Sequence, residues 1–259
     1  MFEFDVAKMT EAIKKGKRII YSGTNDKLLF FNVRKKESWD PSSDMFIATI
    51  RLLVKPGTAG FGYRVMHKSV GYPGKDPKSF VCHKFFDPDA ECVLCNYYRL
   101  SEDELLSTEM IDFPGKKDGI PCMDRVPITS VLGLLAPGPR MIFTVCEPEF
   151  MNNDLVRPEL KGQQVWFVDK ATLIHRLMEF IRQFPASYFA DPKTGVALRV
   201  TFTPKNPPMT MHNVFPYMAI PIDPSLAMNA TDPEKYTPKR VGNDVMLDKL
   251  RDMLPGVKL

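Results

Sequence analysis

The chain of 259 residues has no apolar run near the roughly 18 to 20 residues that a membrane-spanning helix requires, which argues against an integral helical membrane protein. Nor does it open like a secretory signal, because MFEFDVAK is acidic before it is basic. A cytoplasmic location is expected. No internal repeat occurs, so solenoid architectures drop out. Charge of one sign is also scarce: 35 Lys+Arg stand against 31 Asp+Glu, a formal net charge of +4. A preference for an anionic partner therefore has to come from where the charges sit.

Catalytic signatures are missing as well. Neither G-x-x-x-x-G-K-[ST], nor H-E-x-x-H, nor G-x-S-x-G occurs. The zinc-deaminase pattern H-x-E…P-C-x-x-C fails on both sides. His67-Lys68-Ser69 and His83-Lys84-Phe85 lack the glutamate, and Glu91 rather than proline precedes Cys92. The chain reads as a protein with no chemistry of its own. Its five cysteines form neither an even disulfide framework nor a scatter of core thiols, since three fall within fourteen residues.

What is present is a globular composition, 44% hydrophobic and 25% charged, with mainly β patterning and a few helices. Val6, Met9 and Ile13 share a helical face over residues 5–15, followed by the basic run Lys14, Lys15, Lys17, Arg18. Strand signals follow at 28–33, 45–54, 61–66, 125–135, 140–146, 164–168 and 196–203. In the second of these Phe46, Ala48, Ile50 and Leu52 share a face and Arg51 lies on the other. The S-x-x-E spacing Ser101–Glu104 predicts a capped helix through about Met110. Further helices are expected at 170–184 and 243–254. Ten of the 23 prolines lie in 185–238, so the part after Pro204 is expected to wrap rather than to form a packed unit.

Cys92-Val93-Leu94-Cys95 has the knuckle spacing that brings two thiolates to one tetrahedral ion, and Cys82 precedes it by nine intervening residues. A closed zinc site is expected, with His67 the first candidate for the fourth ligand, Cys122 the second and His83 the third. His83 ranks last because neighbouring side chains on a strand point to opposite faces.

Cations also interleave with aromatics, the pattern that lets a surface track phosphates while stacking bases. The candidates are Arg51, Tyr63, Arg64, Tyr97, Tyr98, Arg99, Arg140, Trp166 and Arg199. Phe143 and Phe202 are expected in the core. Arg51 and Arg199 stand out because they occupy the less apolar faces of predicted strands.

The order of motifs, from Ile50-Arg51-Leu52-Leu53 through His67, Cys82 and Cys92-Val93-Leu94-Cys95-Asn96-Tyr97 to Gly162–Ile181 and Gly195–Thr203, resembles the single-stranded DNA-binding (helix-destabilising) proteins of T-even-type bacteriophages. The resemblance spans roughly residues 45–205 and rests on the knuckle and the strand order. It implies an OB-fold-like antiparallel barrel over 27–204 with an inserted zinc subdomain at about 61–122, preceded by an N-terminal helix and basic arm (1–26). A proline-rich wrapping segment and a C-terminal helix (205–259) complete the expected organisation.

The same resemblance implies a zinc-dependent coat on single-stranded DNA in phage replication, recombination and repair, within the host cytoplasm. Cooperative self-association and contacts with replication proteins such as a polymerase or a helicase loader are implied partners. The family's acidic tail has no counterpart in residues 232–259, which hold five acids and six bases. The DNA path is expected along a groove between zinc subdomain and sheet, lined by Arg51, Tyr97, Arg140, Trp166 and Arg199. The alternative is a zinc-stabilised scaffold of a replication complex, with its aromatics in the core and no direct DNA contact.

Overall fold

The computed structural model describes residues 30–70, 78–117, 120–155, 161–204 and 211–254. The expected N-terminal helix and the Lys14–Arg18 run lie outside them. In chain order the elements begin with strands β1 (Trp39–Asp40), β2 (Met45–Leu52), β3 (Phe61–Val70) and β4 (Lys78–Val81), then helix α1 (Val93–Arg99). The paired strands β5 (Met110–Lys117) and β6 (Ile120–Pro127) follow, with α2 (Ile128–Gly133), β7 (Pro137–Cys146), α3 (Pro148–Met151) and β8 (Gln164–Val168). The chain continues with α4 (Ala171–Gln183), α5 (Ala186–Ala190), β9 (Val196–Thr203), β10 (Met211–Ala219), α6 (Pro224–Met228) and α7 (Asn243–Met253). It is an antiparallel β protein with several helices, and its contacts divide it into two compact units.

The first unit holds the described residues of Arg18–Tyr63 and Arg140–Thr237. In it β9 pairs with β10 and β2, β2 with β1 and β7, and β7 with β8, all antiparallel. Period-two alternation sets the register: Phe46, Ala48 and Ile50 lie opposite Phe202, Val200 and Leu198, so these six apolar side chains share one face. Onto that face packs α4, with Leu173, Ile174, Leu177 and Ile181 buried at helical spacing. Pro185 stops it, because the residue before a proline is pushed out of helical conformation; Phe184 is extended at ψ 144°.

The second unit holds Arg64–Pro139 and the described part of Pro238–Leu259. Within it β3 pairs with β4, and a core of Val70, Phe80, Leu94, Ile128, Val131, Leu132 and Leu135 is completed by Met246, Leu250 and Met253 of α7.

Four sequence expectations change here. The run 125–135 is not one strand: Ile128, Val131, Leu132 and Leu135 are all buried at i, i+3, i+4, i+7, and that spacing forms α2 once β6 ends at Pro127. No helix runs from Ser101 to Met110. Ser101 caps nothing, the Asp103 carboxylate instead accepts the Leu105 N–H at 2.9 Å, and two single 3-10 turns result. The part after Pro204 contains β10, a full strand partner of β9. Its Pro216 is tolerated because β10 pairs with β9 alone among the described residues, so a missing N–H on the outer side costs no ladder bond. Finally, the described part of 28–33 makes only a single bridge, Phe30 to Val165, because Phe31 and Val33 turn into the core.

Candidate functional site

Two backbone devices converge on the cysteines of the second unit. On β3, His67 lies opposite Phe80 of β4, and Cys82 follows directly after β4 with its N–H donating to Val65 O at 2.9 Å. Cys92 is the N-cap residue of α1, and Cys95 sits in its first turn. A helix N-terminus leaves N–H groups without helical acceptors, and the Cys95 amide donates to the Cys92 sulfur. The two-residue gap thus folds both thiols to one side.

The four ligand atoms of His67, Cys82, Cys92 and Cys95 lie within 4.8 Å of one another, and all four residues are buried. Cys82 Sγ is 3.4 Å from Cys95 Sγ, and His67 Nε2 is 3.4 Å from Cys92 Sγ and 3.5 Å from Cys95 Sγ. A tetrahedral ion with zinc's bond lengths requires edges of about 3.8 Å between sulfurs and about 3.5 Å between sulfur and nitrogen, so the cluster fits one metal ion with little movement. Leu135 O lies 2.6 Å from His67 Nδ1, which places the proton there and aims the Nε2 lone pair at the sulfurs. The thiols respond to each other in the same sense. A hydrogen bond from Cys82 holds Cys92 well below the ordinary thiol range, helped by the amides of Cys95 and His83, while that same contact and burial push Cys82 up. Burial raises Cys95. A divalent cation would bind here as the thiols lose their protons, since the thiolate is the ligand form.

The other two candidates are occupied elsewhere. Both ring nitrogens of His83 face carbonyl oxygens, Glu91 O at 3.0 Å and Val241 O at 2.7 Å. Cys122 sits on β6, half-buried, and its thiol donates to Asp124 at 3.3 Å. His67 therefore holds the fourth corner.

Of the expected nucleic-acid contacts, two are corrected. Arg51 is fully buried, and its guanidinium donates to the carbonyl oxygens of Ile220, of Asp191 at 2.6 Å and of Phe189 at 3.2 Å. The charge that looked surplus on its strand face serves the loop after α5 and the end of β10, and no donor is left for a phosphate on the surface. Trp166 is likewise a core residue, 5.6 Å from the ring of Phe31 and 5.8 Å from that of Phe143. Its face offers no stacking platform.

The others lie nearer the surface. Tyr63 is half-buried against the first core, and burial raises its phenol. Arg140 makes a two-pronged pair with Asp169 at 2.6 and 3.1 Å and sits 5.5 Å over Phe167, whose ring touches the exposed Phe30. Arg199 lies 3.6 Å over the ring of Tyr217, with Phe215 opposite it across the β9–β10 pair. In the second unit Arg64 faces Phe85 and Phe86, Tyr97 and Tyr98 pack half-buried on the core, and Arg99 is exposed at the end of α1.

Sequence reasoning missed Phe215 and Tyr217, 37% and 38% exposed on the β10 face away from the core. Their alternation was legible in Asn213-Val214-Phe215-Pro216-Tyr217, with Pro216 obscuring it. No protein-family model and no curated protein matches the chain.

Proposed function

We propose that this protein is a sequence-nonspecific single-stranded DNA-binding protein whose second unit is held by one structural zinc on His67, Cys82, Cys92 and Cys95. The observation that carries the reading is Arg199 lying over the half-exposed ring of Tyr217 beside Phe215 on the open face of an antiparallel sheet. A cation next to aromatic faces is what a single strand needs, because phosphates are neutralised while unpaired bases stack. The order of motifs supports the same reading through its similarity to the T-even-type family. On that similarity the sheet belongs to an OB-type fold with an inserted zinc subdomain, acting in phage replication, recombination and repair alongside replication proteins.

The zinc's chemistry is structural. All four corners are protein groups and every one is buried, which leaves no open position for a reacting water. His67, held by Leu135 O, and the amide of Cys95, directed at Cys92, orient the ligands.

A second reading, a zinc-stabilised interaction protein, draws on Leu100, Leu105 and Leu134 of the second unit, which are exposed apolar side chains. Competition separates the two. Labelled oligo-dT bound to the protein should be displaced by unlabelled poly-dT and poly-dA far better than by duplex of equal length. Equal displacement by duplex, or no oligo-dT binding, overturns the first reading.

A further inference from the structure

The cross-strand register of the first unit lines up four rings near one end of its sheet. Trp39 on β1 is the partner of Phe46 on β2, Phe46 of Phe202 on β9, and Phe202 of His212 on β10. Ring centroids along the row are 4.9, 6.0 and 4.6 Å apart. Directly paired residues share a face, so the row lies on the core-facing side of the strands, yet the core does not close it over. Trp39 is 40% exposed, and Phe46 and His212 are half-buried.

Phe202 is covered by Arg34, whose guanidinium carbon sits 3.8 Å above the ring. Arg34 is itself exposed, and among the described residues its guanidinium has no carboxylate partner. The same holds for Lys170, the N-cap residue of α4. Both cations bear on His212: after burial, their charges are what keep its imidazole below the ordinary range. His212 Nδ1 is buried without a hydrogen-bond partner. The first turn of α4 holds no acidic residue and has no capping side chain, so its N–H groups add to the positive field. At the other end of the row Asp40 follows Trp39, ionised and held by the hydroxyls of Ser43 and Ser42. The row is therefore polarised, with apolar rings beside an anion at one end and convergent cations at the other.

We propose that this row is a contact for single-stranded nucleic acid, with a base stacked against Trp39 and Phe46 and a phosphate set among Arg34, Lys170 and His212 at the N-terminus of α4. Asp40 repels phosphates from the Trp39 end, so the strand lies with its backbone toward Arg34. Phe202 takes no base, because Arg34 already covers it. The site is distinct from the Arg199–Tyr217 pair, which lies on the opposite face of the same strands. It rests on the single-strand reading and names a second surface for it.

The chain has two tryptophans, and Trp166 is in the core, so a stacked base can quench only the Trp39 part of the emission. Poly-dT should quench the wild-type emission. In Trp39→Phe the quenching should vanish, while anisotropy of a labelled oligo-dT still reports binding. Trp39→Ala should weaken that binding about tenfold. The Arg34→Ala/Lys170→Ala double variant, with an unchanged circular dichroism spectrum, should flatten the log–log salt dependence by about 0.7, one phosphate's worth. Quenching that survives in Trp39→Phe, or a double variant with wild-type affinity and slope, overturns this contact while leaving the single-strand reading intact. Wild-type protein that fails to bind poly-dT at all overturns both.

Discussion

The imidazole of His67 is clamped between two thiol sulfurs and a main-chain oxygen: Nδ1 lies 2.6 Å from Leu135 O, while Nε2 lies 3.4 and 3.5 Å from the sulfurs of Cys92 and Cys95. The carbonyl fixes one tautomer, and that tautomer presents a lone pair where the cluster lacks its fourth ligand. Because the acceptor belongs to the backbone just after α2, the packing of α2 sets the aim of the histidine.

His67→Ala should therefore lose stoichiometric zinc, whereas Cys122→Ala should keep it. Metal content after purification without chelator, measured by elemental analysis, separates the two. Zinc retained in His67→Ala and lost in Cys122→Ala would move the fourth corner to β6.

Removing the metal from wild-type protein should cost a large part of the second unit's stability, since structural zinc contributes on the order of 10 kcal/mol of apparent binding free energy in small domains. A chelator should lower the melting temperature, and added zinc should restore it. An unchanged melt with stoichiometric zinc demonstrably removed contradicts a structural role.

Arg51 gives a contrasting expectation. Arg51→Ala removes a fully buried guanidinium that donates to three carbonyl oxygens, of which Asp191 O alone keeps a second donor, the Gly195 N–H, a loss of roughly 3 kcal/mol or more. Gly195→Ala should destabilise as well, because a Cβ there runs into the Arg51 guanidinium and sits 2.5 Å from Asp191 O and 2.9 Å from Phe189 O. Denaturant titration should show both losses. The salt dependence of oligo-dT binding should be unchanged in whatever protein remains folded, and a slope flattened by one phosphate would return Arg51 to the DNA surface.

Glu147 supplies the pH dependence. Burial holds its carboxyl above the ordinary 4.5, opposed by the neighbouring Lys35 and by Gln164. A carboxyl whose folded pKa is raised binds more protons folded than unfolded, so its contribution is fully present below the ordinary value and is lost as pH rises through the raised one. Melts of wild type and Glu147→Gln across that window should differ by a term that falls as pH rises, with Glu147→Gln lacking that decline. Parallel curves contradict the assignment.

The legible parts of this chain are those where one period dominates. Val196–Thr203 and Gln164–Val168 form strands over the expected residues, and Leu173, Ile174, Leu177 and Ile181 bury as their spacing demands. The cysteine set was legible too, because a knuckle is local in sequence. Arg51 was misjudged for a physical reason: alternation tells which face a side chain takes, but not that a loop 140 residues later lays its carbonyls across that face. Trp166 failed in the same way, since an aromatic on a strand shows its size and not its cover. Phe215 and Tyr217 stayed hidden because a proline in the run suppresses a strand assignment that an edge position permits.

The central claim is tested most directly by the affinity of the wild-type protein for poly-dT across a salt series. Single-strand association releases about 0.7 ions per neutralised phosphate, so one phosphate held by Arg34 with Lys170 and a second by Arg199 predict tight binding at low salt with a log–log slope of about −1.4. Weak binding with a slope near zero, in protein that holds its zinc and its fold, would contradict the account and leave an interaction protein in its place.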